Sequence, residues 1–400
     1  MSHLVIGKKN EVFLSVNAEP HVYYELADQF TFEVPGARFM PAVRNKVWDG
    51  KIRLFNQVTR TIFAGLTNYI VYFCRVRNYD CIVESNLTSN VQFDENDVND
   101  LAQSVGLTLE PRDYQKRAIA HAISNKRCLL LSPTASGKSL IIYALVRYYD
   151  ILLGEQKVLI LVPTTSLVEQ MYSDFIDYGW SDDYLHRIYA GHERDTNKSV
   201  VISTWQSLYK MKKPYFKQFG CVIGDEAHLF KSKSLTSILT KLDLCKYRFG
   251  LTGTLDGTQT HRLVLEGLFG SVEKVTTTKE LMESGTLADL EIKCIVLKHT
   301  EEESKNLRGL SYAEEINYLV GNDRRNRFII NLSDNLEGNT LCLFQLVLKH
   351  GKLLYDEMKN FDRQVFFVYG GTNAETRENI RAITEKEKNA IIVASYGTFS

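Results

Sequence analysis

From Pro111 onward, short and nearly continuous apolar runs bounded by turns recur along the chain: Cys128–Leu131, Val158–Val162, Val200–Ser203 and Cys221–Ile223. Stretches with helical spacing of apolar positions lie between them, such as Ser139–Tyr149 and Leu167–Tyr178. Apolar strands without polar alternation, separated by helices, predict a parallel sheet covered on both faces. A second series follows at Glu291–Leu297, Leu341–Leu346, Val365–Tyr369 and Ile391–Ala394. It is interleaved with the helical stretches Arg324–Leu336, Gly351–Lys359 and Glu375–Thr384, and Gly285 and Thr286 mark the join between the two units.

Before Pro111 the pattern differs. Val47-Trp48-Asp49-Gly50-Lys51-Ile52-Arg53-Leu54-Phe55 predicts a hairpin, because Asp-Gly between alternating apolar residues supplies the positive φ that a tight turn needs. Leu66, Tyr69, Ile70, Phe73 and Cys74 then recur at helical spacing. Ser85 to Asp100 is polar and reads as a linker in its first half, after which Val98, Leu101 and Val105 suggest a short helix. The fold class expected is therefore α/β, with a small α+β domain over residues 1–84 and an acidic linker and short helix over 85–110. A parallel-sheet domain over 111–285 and a second over 286–400 complete the division.

The hydrophobic share of 44% is enough to bury real cores, which excludes a disordered chain. No apolar run approaches the roughly 18–20 residues of a membrane span, and the first ten residues carry no signal core. The seven cysteines are scattered without a Cys-x-x-Cys pair, which argues against a disulfide framework or zinc ribbon and fits a cytoplasmic setting. The formal net charge of zero hides a division: residues 38–77 hold eight basic side chains and one acid, whereas 78–110 hold seven acids and no Lys or Arg. A neutral total is therefore no argument against nucleic acid, since the local field steers a partner.

Ser132-Pro133-Thr134-Ala135-Ser136-Gly137-Lys138-Ser139 follows an apolar strand and opens a helix, the context of a phosphate-binding loop, although Ser132 stands where the pattern has its first glycine. In that role the Thr134, Ser136 and Gly137 backbone would cradle phosphates, Lys138 would face the β- and γ-phosphates of ATP, and Ser139 would hold Mg²⁺. Cys221-Val222-Ile223-Gly224-Asp225-Glu226-Ala227-His228 ends a buried strand in paired carboxylates. Asp225 would hold the Mg²⁺ and Glu226 would polarise the attacking water. Pro111-Arg112-Asp113-Tyr114-Gln115 precedes the loop, and the Gln115 amide would read adenine. Pro163 and Thr164 after one strand, and Thr204 and Gln206 after another, offer donors to a nucleic-acid phosphate. Thr252 and Thr254 end a further apolar stretch where hydroxyls would sense the metal site.

In order and spacing these segments resemble the superfamily 2 helicases, with Asp225-Glu226-Ala227-His228 as the DEAH motif. Leu341–Leu348, Phe367-Val368-Tyr369-Gly370-Gly371 with Glu375 and Arg377, and Val393–Ser400 continue the match. Tyr24-Glu25-Leu26, Phe30–Glu33, Arg38-Phe39, Trp48–Leu54 and Leu251–Gly257 narrow it to a resemblance to the UvsW-type recombination and repair helicases of T-even-like phages. That resemblance implies two RecA-like domains behind a small nucleic-acid-binding domain. It also implies ATP-driven migration of branched and forked DNA and unwinding of RNA–DNA hybrids, in the cytoplasm of the host cell. His228 would bridge nucleotide and DNA sites by its family position, or cap a helix.

Two further expectations follow. Arg44, Lys46, Lys51 and Arg53 flank the expected hairpin as DNA contacts, the alternative being a solvated basic face; Phe39, Trp48, Phe55 and Phe63 are assigned to a core. Ser395 lies in a motif V-like strand end, and residues 291–400 hold no arginine in the layout of motif VI, so the chain reads as a fragment with its second domain incomplete and ATP turnover weak. A double-stranded DNA translocase that never separates strands, or a DNA-binding module with a weak ATPase, shares the same motifs.

Overall fold

The computed structural model describes residues 3–85, 91–189, 191–231, 233–255 and 258–399. Part of the expected linker, Asp256-Gly257 and Ser400 lie outside them. The chain divides into two compact units, Met1–Leu290 and Glu291–Ser400.

The first unit begins with strands β1 (His3–Lys8) and β2 (Phe13–Ala18), then β3 (Thr31–Glu33), β4 (Lys51–Arg53), β5 (Thr61–Phe63) and β6 (Asp80–Val83). A four-stranded sheet runs in the order β5-β2-β1-β6, antiparallel except where β6 lies parallel to β1. Helices Pro20–Gln29 and Thr67–Arg77 cover it with Leu26, Ile70 and Phe73. The expected hairpin does not form: β4 pairs antiparallel with β3, Thr31 opposite Arg53, while Val47–Gly50 carry no strand. The Asp49 carboxylate, instead of sitting at a two-residue turn, accepts the Lys51 N–H and pairs with Arg53.

Seven parallel strands follow: β7 (Arg127–Leu131), β8 (Lys157–Val162), β9 (Leu185–Ile188), β10 (Val200–Thr204), β11 (Phe219–Gly224), β12 (Tyr247–Thr252) and β13 (Val272–Lys274). They lie in the order β13-β7-β12-β11-β8-β10-β9. Successive residues feed opposite faces, as pleating requires. Val158 and Ile160 pack with Ile119 and Tyr143 on one face, whereas Leu159 and Leu161 join Phe219 and Phe269 on the other.

That second face is continuous with the core of the small sheet, since Leu4, Leu26 and Leu66 belong to the same cluster. The contact is close at Gly65. A Cβ there would lie 1.8 Å from the Glu266 carbonyl oxygen on helix Gln259–Phe269, so only glycine lets the backbones approach. The buried Glu266 carboxylate pairs with Arg262 at 2.8 Å and accepts the Tyr69 hydroxyl, whose pKa is pushed up to about 12, by burial first and Glu266 second. Arg127 donates to the backbone carbonyls of Glu11, Leu268 and Phe269, tying the start of the chain to the same helix end.

The second unit carries β14 (Thr340–Phe344), β15 (Val365–Val368) and β16 (Ile391–Ser395), parallel in the order β14-β16-β15. Its core gathers Phe344, Leu354, Met358, Ile391 and Val393. Glu291–Leu297, expected as a strand, has no regular structure: none of the described strands pairs with it, and Ile292 and Val296 stay exposed. Three helices, Glu301–Leu307, Tyr312–Gly321 and Asp323–Asn335, follow it. Among the described residues no helix is long and apolar enough to cross a membrane.

Candidate functional site

In an open parallel sheet, strand carboxyl ends leave backbone groups and helix N-termini facing one edge, where ligands bind. Here the register places Leu131 beside Thr252, and Gly224 beside both Leu161 and Gly250, so the segments after β7, β8, β11 and β12 emerge together. The segment after β10 joins them through the pairing of Thr204 with Val162.

The loop after β7 is stapled from within. The buried Ser132 hydroxyl bonds that of Ser136 at 2.6 Å, the Ser136 hydroxyl donates to the Pro133 carbonyl at 2.6 Å, and Ser132 N–H donates to Thr252 O. Serine in place of the first glycine thus supplies a cross-link that glycine cannot. Thr134 and Ala135 sit on the exposed rim, with Ala135 at φ +63°, and Gly137 at φ +73° caps helix Lys138–Leu153.

Gln115 is committed to this loop. Its amide donates to the carbonyls of Ser136 and Gly137 at 3.0 and 3.3 Å, and its carbonyl accepts the Arg112 N–H at 2.8 Å. Arg112 reaches the Tyr114 hydroxyl, which donates to Ser136 O. In this state both ends of the Gln115 amide shape the loop, a use that sequence reasoning did not foresee.

The carboxylates come next. Asp225 is buried, and burial pushes its pKa above the usual carboxylate value; Glu226 raises it further while Lys138 opposes both. Lys138 Nζ bonds Glu226 Oε1 at 2.9 Å, although the two are 88 positions apart. Glu226 has φ +49°, a left-handed conformation that a non-glycine residue adopts at a cost of about 1–3 kcal/mol. Gly224 leaves room for aromatic rings: a Cβ there would lie 2.9 Å from Phe230 and 3.0 Å from Phe269.

His228 links the ends of β11 and β12. Its Nδ1 lies 3.0 Å from Thr252 Oγ1 and 3.3 Å from Glu226 Oε2. The Thr252 hydroxyl spends its one proton on the Thr254 carbonyl at 2.9 Å, so Nδ1 must be the donor to Thr252. An unbroken polar chain therefore runs Lys138–Glu226–His228–Thr252–Thr254.

Ser139 stands apart from that chain. It sits near Asp174 and Tyr178, where it opposes the rise that burial gives their pKa values, and no motif in the sequence marks Asp174 as its neighbour. Among the described residues no three His, Cys, Asp or Glu side chains gather as a metal cage. Mg²⁺ does not need one: it usually keeps waters and takes one or two protein ligands beside phosphates. The buried Asp225 carboxylate, short of compensating charge, fits that requirement.

On the same edge Gln206 donates to the Pro163 carbonyl at 3.3 Å, and Thr164 caps helix Thr165–Asp177, its hydroxyl accepting from Leu167 N–H. Thr204 is buried and bonds the Ser207 hydroxyl, so its side chain faces inward. In the second unit the Ser395 hydroxyl bonds Thr398. Of the four basic candidates near the small sheet, Lys51 lies 3.7 Å from Glu33 and Arg53 is paired with Asp49; Arg44 and Lys46 are exposed. Trp48 is half-buried with its indole N–H on Lys51 O, Phe55 is buried, Phe63 stacks on Phe13, and Phe39, expected in the core, is 66% exposed.

Comparison with known proteins agrees with this geometry. Residues 9–84 match the family model described as DNA helicase UvsW, N-terminal, and residues 108–257 match that of the type III restriction enzyme res subunit. The chain is 36% identical over 398 residues to the ATP-dependent DNA helicase uvsW of Enterobacteria phage T4, covering 96% of this chain and 79% of that protein. It is 28% identical over 225 residues to the DNA 3'-5' translocase XPB2 of Sulfurisphaera tokodaii, 56% of this chain and 49% of that one. The crystal structure of T4 UvsW aligns with 100% of this chain and 81% of its own at a TM-score of 0.64 and 34% identity.

Proposed function

The chain belongs to the UvsW family of ATP-dependent DNA helicases of superfamily 2, and from that premise we propose that it uses ATP to migrate branched and forked DNA and to open RNA–DNA hybrids in recombination and repair, in the host cytoplasm. The observation that carries the reading is the polar chain from Lys138 through Glu226 and His228 to Thr252 and Thr254.

Lys138 is paired with Glu226. The β- and γ-phosphates of ATP compete for the same ammonium, cradled by the loop N–H groups and the following helix N-terminus. Glu226, released from Lys138, becomes free to accept a proton from the attacking water. His228, hydrogen-bonded to Thr252 and 3.3 Å from Glu226, passes the displacement to the loop after β12. Asp225 and Ser139 would hold Mg²⁺, which would neutralise phosphate charge. Asp225-Glu226-Ala227-His228 makes the enzyme DEAH-type. DNA phosphates meet Pro163, Thr164 and Gln206, with Thr204 as a backbone contact, and Ser395 serves the same purpose on the second unit. Arg44 and Lys46 hold the substrate at the small domain, with Lys51 and Arg53 contributing only once freed from Glu33 and Asp49.

Lys138→Ala should weaken ATP binding and cut residual turnover by roughly 10²–10³-fold, the cost of removing one preorganised charge, while salt-sensitive DNA binding persists. Unchanged hydrolysis by that variant would sink the assignment. The similarity to a DNA 3'-5' translocase favours one second reading, a DNA translocase that never separates strands. Triplex displacement without strand displacement would select it.

A further inference from the structure

Between segment 295–299 and the helices Tyr312–Gly321 and Asp323–Asn335, all within the second unit, lies a cavity of about 750 Å³. That size falls inside the roughly 300–1,000 Å³ of pockets that hold ligands. None of the ATP or DNA candidates described above lines it.

Its wall is built from two kinds of side chain. Ile295, Leu297 and Phe328 supply an apolar floor, with Ile295 54% and Leu297 45% exposed. Lys298, Arg324, Arg325 and Arg327 surround it, and none of the four pairs with a carboxylate among the described residues. The one acidic side chain lining it among those residues, Glu303, is already engaged: it accepts the Thr300 N–H at 2.7 Å and the Asn322 amide at 3.3 Å. Arg325 is anchored from behind, Nη1 lying 3.2 Å from Nε2 of the buried His350. Burial first and Arg325 second push the His350 pKa below its ordinary value, so that ring is neutral and accepts the bond. The cavity thus holds uncompensated positive charge around an apolar floor.

The backbone of the wall is open as well: among the described residues, 295–297 make no backbone hydrogen bond and pair with no strand. An extended peptide can add beside such a run, its main chain giving affinity while pockets select its side chains. Charge decides what that peptide carries. Arginine forks grip carboxylates through paired hydrogen bonds, and arginine clusters read acidic motifs. Nucleic acid fits less well, because bases stack on aromatic rings and two of the three floor residues are aliphatic.

We propose that the cavity seats an acidic segment of a partner protein, its bulky apolar side chain on Leu297 and Phe328 and its carboxylates on Lys298, Arg324 and Arg327. The second unit thereby docks a protein, a role beyond ATP and DNA.

The test titrates the 400-residue chain into fluorescein-labelled Asp-Asp-Asp-Leu-Asp-Phe, read as anisotropy, with labelled oligo-dT in parallel. Wild type should bind the peptide saturably. A peptide with Asn for every Asp, or with Ser for Leu and Phe, should bind about tenfold more weakly or worse. Arg324→Ala combined with Arg327→Ala should weaken the acidic peptide by about tenfold or more, the worth of one charged hydrogen bond, and leave oligo-dT within about twofold. Leu297→Asn should also weaken the peptide by about tenfold, and Leu297→Met should restore it, which separates contact from folding. No saturable binding of the acidic peptide by wild type, or an affinity unchanged in the arginine and Leu297→Asn variants, would overturn the docking site. A loss of oligo-dT binding in the arginine variant equal to that of the peptide, or larger, would give the cavity to nucleic acid and overturn it too.

Discussion

Asp225 holds a carboxylate where water cannot solvate it well. Burial is the largest influence on it and Glu226 adds to it, so its pKa in the folded chain lies above the ordinary 3.8 despite Lys138. For a carboxyl raised in this way, the folded state binds the proton more tightly than the unfolded state does. The contribution to stability is complete below 3.8 and is lost as pH rises through the folded value, leaving a penalty at neutral pH. Asp225→Asn should therefore raise the melting temperature at pH 7, with less gain at pH 4, while ATP turnover falls by at least about 10²-fold. A melting temperature lowered at pH 7 would show that Lys138 outweighs burial. The candidate residue types were legible in the sequence, because Gly-Lys-Ser after a strand and Asp-Glu at a strand end are local patterns. The pairing of Lys138 with Glu226 and the commitment of Gln115 to loop carbonyls were not, since each depends on where a distant segment ends.

At the scale of elements, helix Gln259–Phe269 meets the small sheet at Gly65 and at Gly267, where a Cβ would lie 2.8 Å from Phe63 Cβ. Gly65→Ala drives a methyl into the Glu266 carbonyl, and backbone cannot yield as a flexible side chain can. A loss of about 1–3 kcal/mol or more follows from overpacking of this kind, measured as the denaturation midpoint. Gly36→Ala, which meets no atom within 4 Å, should cost less, its penalty being the positive φ alone. Equal midpoints for Gly65→Ala and wild type would refute the close approach. Nothing near Gly65 in sequence announces this, because its reason lies two hundred positions away. The Asp-Gly hairpin failed for the opposite cause: a good local turn signal lost to strand β3, which pairs with Lys51–Arg53 over three residues.

At the scale of the whole molecule, two arginines tie the segments of the second unit together. Arg363 donates to the carbonyls of Ser333, Asp334, Leu336 and Gly338, and Arg325 to Leu319 O and His350, which fixes both in structural work. Arg363→Ala removes a charged donor from those carbonyls and should cost about 1.5–3 kcal/mol, read as the denaturation midpoint; an unchanged midpoint would refute that role.

The sequence by itself determined the fold class, the strands β7, β8, β10 and β11, and the residue types of the candidate nucleotide site. Apolar runs and turn residues act over a few positions and carry their meaning locally. Only the tertiary structure decided that Phe39 faces water, that Glu291–Leu297 pairs with no described strand, that Lys138 is held by Glu226, and that the small sheet shares a core with the seven-stranded one. Those outcomes depend on which surfaces meet after distant segments pack, and packing is settled by shape and burial across the chain.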